Sequence, residues 1–102
     1  MSADISFLDG VMTVRLSGEI DHHSAADLRD SIDSAAERQN PKKLILDFSR
    51  VGFMDSSGIG LIMGRYRLIK EMGGSLSILG ASDAIKRVIK LAGLERLGIA
   101  IA

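Results

Sequence analysis

Polar and apolar residues alternate with a period of two over positions 11–17. Met12, Val14 and Leu16 fall on one side, and Val11, Thr13, Arg15 and Ser17 on the other. That period predicts a half-buried strand. Residues 5–9 alternate loosely before it, and Asp9-Gly10 is a hairpin signal, so the first two strands are expected to pair antiparallel. From Ala25 the spacing changes to three and four. Ala25, Leu28, Ile32 and Ala35 or Ala36 share one helical face, opposite Asp27, Arg29, Asp30, Asp33, Glu37 and Arg38. Asp21 is the expected N-cap, and Asn40-Pro41 the stop. The run Leu44-Ile45-Leu46-Asp47-Phe48 predicts a strand covered on both faces, or at least a central one, with a turn over 49–52. A second helix is predicted from Ser57 to about Met72. Its main apolar face is Ile59, Ile62, Met63, Tyr66 and Ile69, with Leu61, Leu68 and Met72 beside it, and Gly73-Gly74 ends it. So wide an apolar arc means either deep burial, the favoured reading, or contact with a partner. Residues 75–79 read as a strand. Ser82 caps a third helix with Ile85, Val88, Ile89 and Ala92 inward, and residues 97–101 form a short last strand.

The predicted order is β-β-α-β-α-β-α-β. It implies an α/β fold: a mixed, mainly parallel sheet with an N-terminal antiparallel hairpin and right-handed crossovers. With only 102 residues, one domain spanning 1–102 is expected, with helices mainly on one face.

Composition narrows the chemistry. Hydrophobic residues at 46% suffice for a packed core. Thirteen basic residues balance thirteen acidic ones, which argues against nucleic-acid binding. The absence of cysteine excludes disulfides and thiolate metal sites. The two histidines, His22 and His23, are adjacent and project about 100° apart on a helix, so metal ligation is not expected. No apolar run reaches the roughly 20 residues of a membrane span. Met1-Ser2-Ala3-Asp4 lacks the basic start and apolar core of a leader. A soluble cytoplasmic domain follows by elimination. A monomer is expected, because no long apolar edge or coiled-coil pattern stands out.

The chemistry-bearing stretch is Phe53-Met54-Asp55-Ser56-Ser57-Gly58-Ile59-Gly60, a strand-to-helix corner. Free N–H groups and the positive end of the helix dipole favour an anion there. Capping alone would also select Asp-Ser-Ser. A phosphoserine at Ser56 or Ser57 is the functional alternative, since a helix start tolerates phosphate. Gly58-x-Gly60-x-x-x-Gly64 is a loose variant of a dinucleotide fingerprint. The favoured reading is that Gly60 and Gly64 let the helix approach the sheet. A nucleophile elbow fails, because Met54 stands where its first glycine belongs. The histidines could still approach Ser56 in space. A small nucleotide-binding or hydrolytic domain using Gly58, Gly60 and Gly64 therefore stays open as the alternative.

The same stretch resembles the signature of the STAS-domain anti-sigma factor antagonists of bacteria. Gly18-Glu19-Ile20-Asp21-His22-His23-Ser24-Ala25, Gly64-Arg65-Tyr66-Arg67-Leu68-Ile69-Lys70 and Ser82-Asp83-Ala84-Ile85-Lys86-Arg87 are similar to the family's sporulation branch, which opposes the anti-sigma F factor. The resemblance runs from about Ile5 to Leu97. It implies a switch with no catalytic residues, metal or cofactor of its own, ATP being bound by the partner. The unphosphorylated form would bind the anti-sigma F factor, a serine kinase, and free sigma F. The kinase would then phosphorylate Ser56, and a serine phosphatase would reverse the step. Asp21, His22, Asp55, Ser57, Gly58 and Ile59 are the implied partner-binding residues, with Asp21 the charged contact. The family's usual helical tail after the last strand does not occur before Ala102.

Overall fold

The structure, a computed structural model, describes residues 2–102; Met1 lies outside the described residues. Strand β1 (Ser2–Leu8) turns through Asp9 and Gly10 into β2 (Val11–Ile20). Asp9 and Gly10 both have positive φ, 51° and 80°. That is a type I′ turn, whose twist suits a hairpin. Helix α1 (Ala25–Gln39), β3 (Lys43–Met54), α2 (Ser56–Glu71), β4 (Ser75–Leu79), α3 (Asp83–Leu91), a 3₁₀ turn (Leu94–Leu97) and β5 (Ala100–Ile101) follow. The sheet order is β1-β2-β3-β4-β5. Only the β1–β2 pair is antiparallel. The mixed sheet expected from the sequence is therefore present.

Burial shows which face the helices cover. Met12, Val14, Leu44, Leu46, Leu76 and Ile78 are buried and meet Leu28, Ile32, Leu61, Ile62, Ile69, Ile85 and Ile89 from the helices. The opposite face carries Thr13, Arg15, Ile45, Asp47 and Ser77, which are half-buried or exposed. Strand β3 is thus central but covered on one face, and Ile45 marks the difference.

The turn expected over 49–52 is strand. Buried positions in β3 step by two from Leu44 through Leu46 to Phe48, then by three to Val51 and Met54. The phase slips because β2 and β3 change register between Arg15 and Ser17 and again between Gly18 and Glu19. Gly18 accommodates this with φ of 97°. Both strands therefore run on past the expected ends, to Ile20 and Met54.

Three helical details also differ. Asp21 is not the residue before α1; Ser24 is, and its side chain makes no capping bond. In α3, Ile85 and Ile89 are buried, while Val88 and Ala92 are exposed. The last strand is only Ala100–Ile101, because Leu97 ends the 3₁₀ turn and its carbonyl accepts the Tyr66 hydroxyl at 2.8 Å.

Candidate functional site

Parallel neighbours end at the same edge of a sheet, where open α/β folds place their sites. Ile20 and Met54 are paired, so Asp21 and Asp55 emerge side by side. The Asp55 N–H donates to the Ile20 carbonyl at 3.1 Å, tying the two corners together. Asp21, His22, Asp55, Ser56 and Ser57 thus gather at one edge.

Within that cluster the two serines have different surroundings. Asp55 caps α2: its carboxylate accepts the Ser57 N–H at 2.8 Å and also the Ser57 hydroxyl. The Asp55 carbonyl accepts the Gly58 N–H at 3.0 Å. Ser57 is half-buried and its hydroxyl is engaged. Ser56 is exposed, and its hydroxyl makes no hydrogen bond among the described residues. The first-turn N–H groups expected to cradle a phosphate are therefore largely taken, those of Ser57 and Gly58 by Asp55.

Asp21 organises the neighbouring corner. Its carboxylate accepts the N–H groups of His23 at 2.9 Å and Ser24 at 3.1 Å. The Ser24 hydroxyl reaches the Glu19 carbonyl at 3.2 Å. The His22 and His23 rings lie 3.9 Å apart between centroids. Neither ring hydrogen-bonds a serine hydroxyl among the described residues, and Ser57 is turned to Asp55 instead.

Both carboxyls sit below their ordinary range. The Ser57 hydroxyl and N–H hold Asp55 down, with burial and Asp21 opposing and His22 assisting. The Ser24 N–H is the main cause for Asp21. A carboxyl depressed in the folded state stabilises the fold above the unfolded aspartate value, about 3.9. That contribution is lost as pH falls through the folded value. Asp55→Asn should therefore lose less stability on acidification than the parent chain, read by urea unfolding at stepped pH. At neutral pH Asp55→Ala should lower stability, because α2 loses its N-cap.

Gly58 is buried under Met54; an added Cβ would lie 2.1 Å from the Met54 Cγ. Gly58→Ala should thus destabilise by about 1–3 kcal/mol, through displacement of Met54. Thermal unfolding checks this. Ile59 is half-buried against the core. Gly60 and Gly64 overturn the close-approach reading, since a Cβ at either would meet nothing within 4 Å. They border a 360 Å³ cleft between α1 and α2, with His22, Ala26, Arg29 and Ser57 around it.

Sequence reasoning missed Arg65. It is 5% exposed, with its Nε 2.7 Å from an Asp33 carboxylate oxygen. It lies three residues after Ile62 and four before Ile69, on the face that the structure buries. That spacing was the available signal. Asp33, placed on the solvent face by its polarity, is half-buried to meet it.

Among the described residues no group of three or more histidine or acidic side chains could hold a metal ion. No helix among them is long and apolar enough to cross a membrane.

Comparison with known proteins places this geometry. The STAS domain matches residues 2–100. The chain is 39% identical over 88 residues to an anti-sigma F factor antagonist of Paenibacillus polymyxa, covering 86% of this chain and 75% of the relative. It is 30% identical over 95 residues to an anti-sigma-B factor antagonist of Bacillus subtilis (strain 168), covering 93% and 85%. Among solved structures it is similar to the anti-sigma factor antagonist SpoIIAA in its unphosphorylated form, at TM-score 0.84 and 30% identity over 99% of this chain and 88% of that one. The phosphorylated form of the Bacillus SpoIIAA matches at TM-score 0.77 and 30% identity, over 99% and 91%. The mixed sheet, the paired corners at Asp21 and Asp55 and these relatives agree: the chain belongs to the STAS-domain family, among relatives that are anti-sigma factor antagonists.

Proposed function

We propose that this chain is a phosphorylation-switched antagonist of an anti-sigma factor, with Ser56 as the phosphoacceptor. The unphosphorylated form binds the anti-sigma F factor, a serine kinase, and so frees the sporulation sigma factor F. Phosphate on Ser56 ends the binding, and a serine phosphatase restores it. The chain acts as a cytoplasmic binding protein with no cofactor; ATP belongs to the kinase. The observation that carries the reading is the contrast between the serines. Ser56 offers an exposed hydroxyl, unbonded among the described residues, beside Asp21 and Asp55, while Ser57 is engaged with the Asp55 cap of α2.

The switch is electrostatic and local in this reading. Asp55 already occupies the helix start, so a phosphate on Ser56 gains little there beyond the dipole. It adds roughly two negative charges to a corner that already holds two carboxylates. The fold tolerates this because Ser56 is exposed. A partner pressed over the corner does not, because like charges in a desolvated contact cost several kcal/mol. The likeness of this backbone to a relative in both phosphorylation states supports a switch without refolding. Asp21, His22, Ser57 and Ile59 form the surrounding contact surface. Gly58 contributes by fixing the corner from beneath.

The test is incubation with the anti-sigma F factor and ATP, followed by mass spectrometric mapping. One phosphate on Ser56 is expected; phosphate on Ser57 instead contradicts the assignment. The nucleotide-binding or hydrolytic alternative has less support, because Gly58 is buried and Gly60 and Gly64 line a cleft rather than a phosphate loop. Turnover of nucleotide or an activated ester by the purified chain alone would favour it.

A further inference from the structure

We propose that the free edge of β1 pairs with β1 of a second copy, giving a two-fold dimer with one continuous sheet. This inference is independent of the Ser56 reading. The expectation of a monomer rested on the lack of a long apolar edge, and β1 is such an edge. It spans seven residues, with Ile5, Phe7 and Leu8 exposed at 36%, 39% and 73%. The opposite edge, β5, has only two residues. Edges that avoid pairing carry proline, lysine, glycine kinks or bulges. Ser2–Leu8 contains none of these residues, its pairing with β2 is unbroken, and its single charge is Asp4.

Backbone polarity selects the partner. Leu8 and Val11 flank the two-residue turn, so they share its hydrogen bond. Hydrogen-bonded and open positions alternate along an antiparallel pair. Leu8, Ser6, Asp4 and Ser2 thus direct their backbone groups at β2. Phe7, Ile5 and Ala3 direct theirs outward. Antiparallel pairing centred on Ile5 opposes Ile5 with Ile5 and Ala3 with Phe7. Every outward group then meets an outward group, for about six backbone hydrogen bonds.

Side chains obey the same symmetry. Ala3, Ile5 and Phe7 pair with Leu16, Val14 and Met12, so they lie on the helix-covered face. In the dimer they pack against their own copies there. Asp4 meets Ser6, so no like charges oppose one another within the strand. Helix α1 begins beside Ser2 and Ala3, with Asp27 and Ser31 bordering the same hollow. It runs in the direction of β1, and its last turn carries Arg38. The two-fold axis therefore sets Asp27 at the start of one α1 across from the end of the other, where Arg38 stands beside Glu37. The chain's zero net charge adds no overall repulsion.

Sedimentation equilibrium up to about 1 mM chain tests the pairing. The expected mass rises from 10.9 kDa toward twice that value. Ile5→Lys should weaken association about tenfold or more while circular dichroism stays that of the parent. Because the chain has no cysteine, Ile5→Cys introduces its only thiol. Opposed residues lie about 5.5 Å apart at Cα, within disulfide reach. Mild oxidation should link Ile5→Cys into dimers far faster than Leu91→Cys, an exposed control on α3. A constant single-chain mass overturns the proposal. So does an association constant unmoved by Ile5→Lys, or equal linking of the two cysteine variants.

Discussion

Ser56→Ala is expected to remain bound to the anti-sigma factor after incubation with ATP, and the parent chain is expected to be released. The variant lacks the only hydroxyl at the corner that is both exposed and unbonded among the described residues. Its fold should be nearly unaffected, within about 0.5 kcal/mol, since the Ser56 side chain makes no hydrogen bond among the described residues. Ser56→Asp adds one charge beside Asp55 and Asp21, and should bind about 100-fold more weakly than Ser56→Ala, a difference of about 2.7 kcal/mol. Ser57→Ala behaves differently. It should keep the proposed phosphoacceptor and still release, at the cost of the Asp55–Ser57 hydroxyl contact. Calorimetric titration before and after ATP treatment distinguishes the three. Release of Ser56→Ala on phosphorylation would remove Ser56 from the mechanism.

Arg65→Ala is expected to be the most destabilising polar substitution, at about 3 kcal/mol, the lower end for breaking a buried ion pair. The lower end applies because Asp33 retains 29% side-chain exposure against 6% for Arg65. The loss depends on pH. Burial pushes the Asp33 carboxyl up, and Arg65 pulls it down. Without Arg65 the carboxyl rises further. A carboxyl raised in the folded state costs stability as pH climbs past its unfolded value, about 3.9. The deficit of Arg65→Ala should therefore be largest at neutral pH and shrink on acidification. Adding Asp33→Leu should recover part of it at neutral pH, because the unpaired charge is gone. Urea unfolding at several pH values reads all of this. A deficit independent of pH would mean that Arg65 acts through its aliphatic packing alone.

The missed and the legible features divide by physical origin. Asp9-Gly10, the cap at Ser82 and the alternation of Met12, Val14 and Leu16 are local, and a local reading finds them. The corner at Asp55 was legible for the same reason: strand, cap and helix are contiguous there. The slip in β3 from Phe48 to Val51 and Met54 is not local, because it is defined by the pairing with β2, against which β3 carries one extra residue at each of two register shifts. A period-two reading stops at Phe48 and takes the rest for a turn. Arg65 was missed because a charge on an apolar face is assigned to solvent unless its partner, here on another helix, is known. The gathering of Asp21 with Asp55 follows from parallel strands, but Asp55's bond to Ile20 does not. Nor could Ser56 and Ser57 be told apart by residue type. Their difference lies in which hydroxyl turns toward Asp55, and that is a matter of tertiary geometry.

In the proposed switch, phosphate on Ser56 blocks the partner without remaking the fold. Amide NMR shifts of the chain before and after phosphorylation are the decisive measurement. Changes confined to residues 53–62 and to the adjoining 20–24 corner, reached through the Asp55–Ile20 bond, are predicted. Shifts spread through β4 and α3 would contradict it.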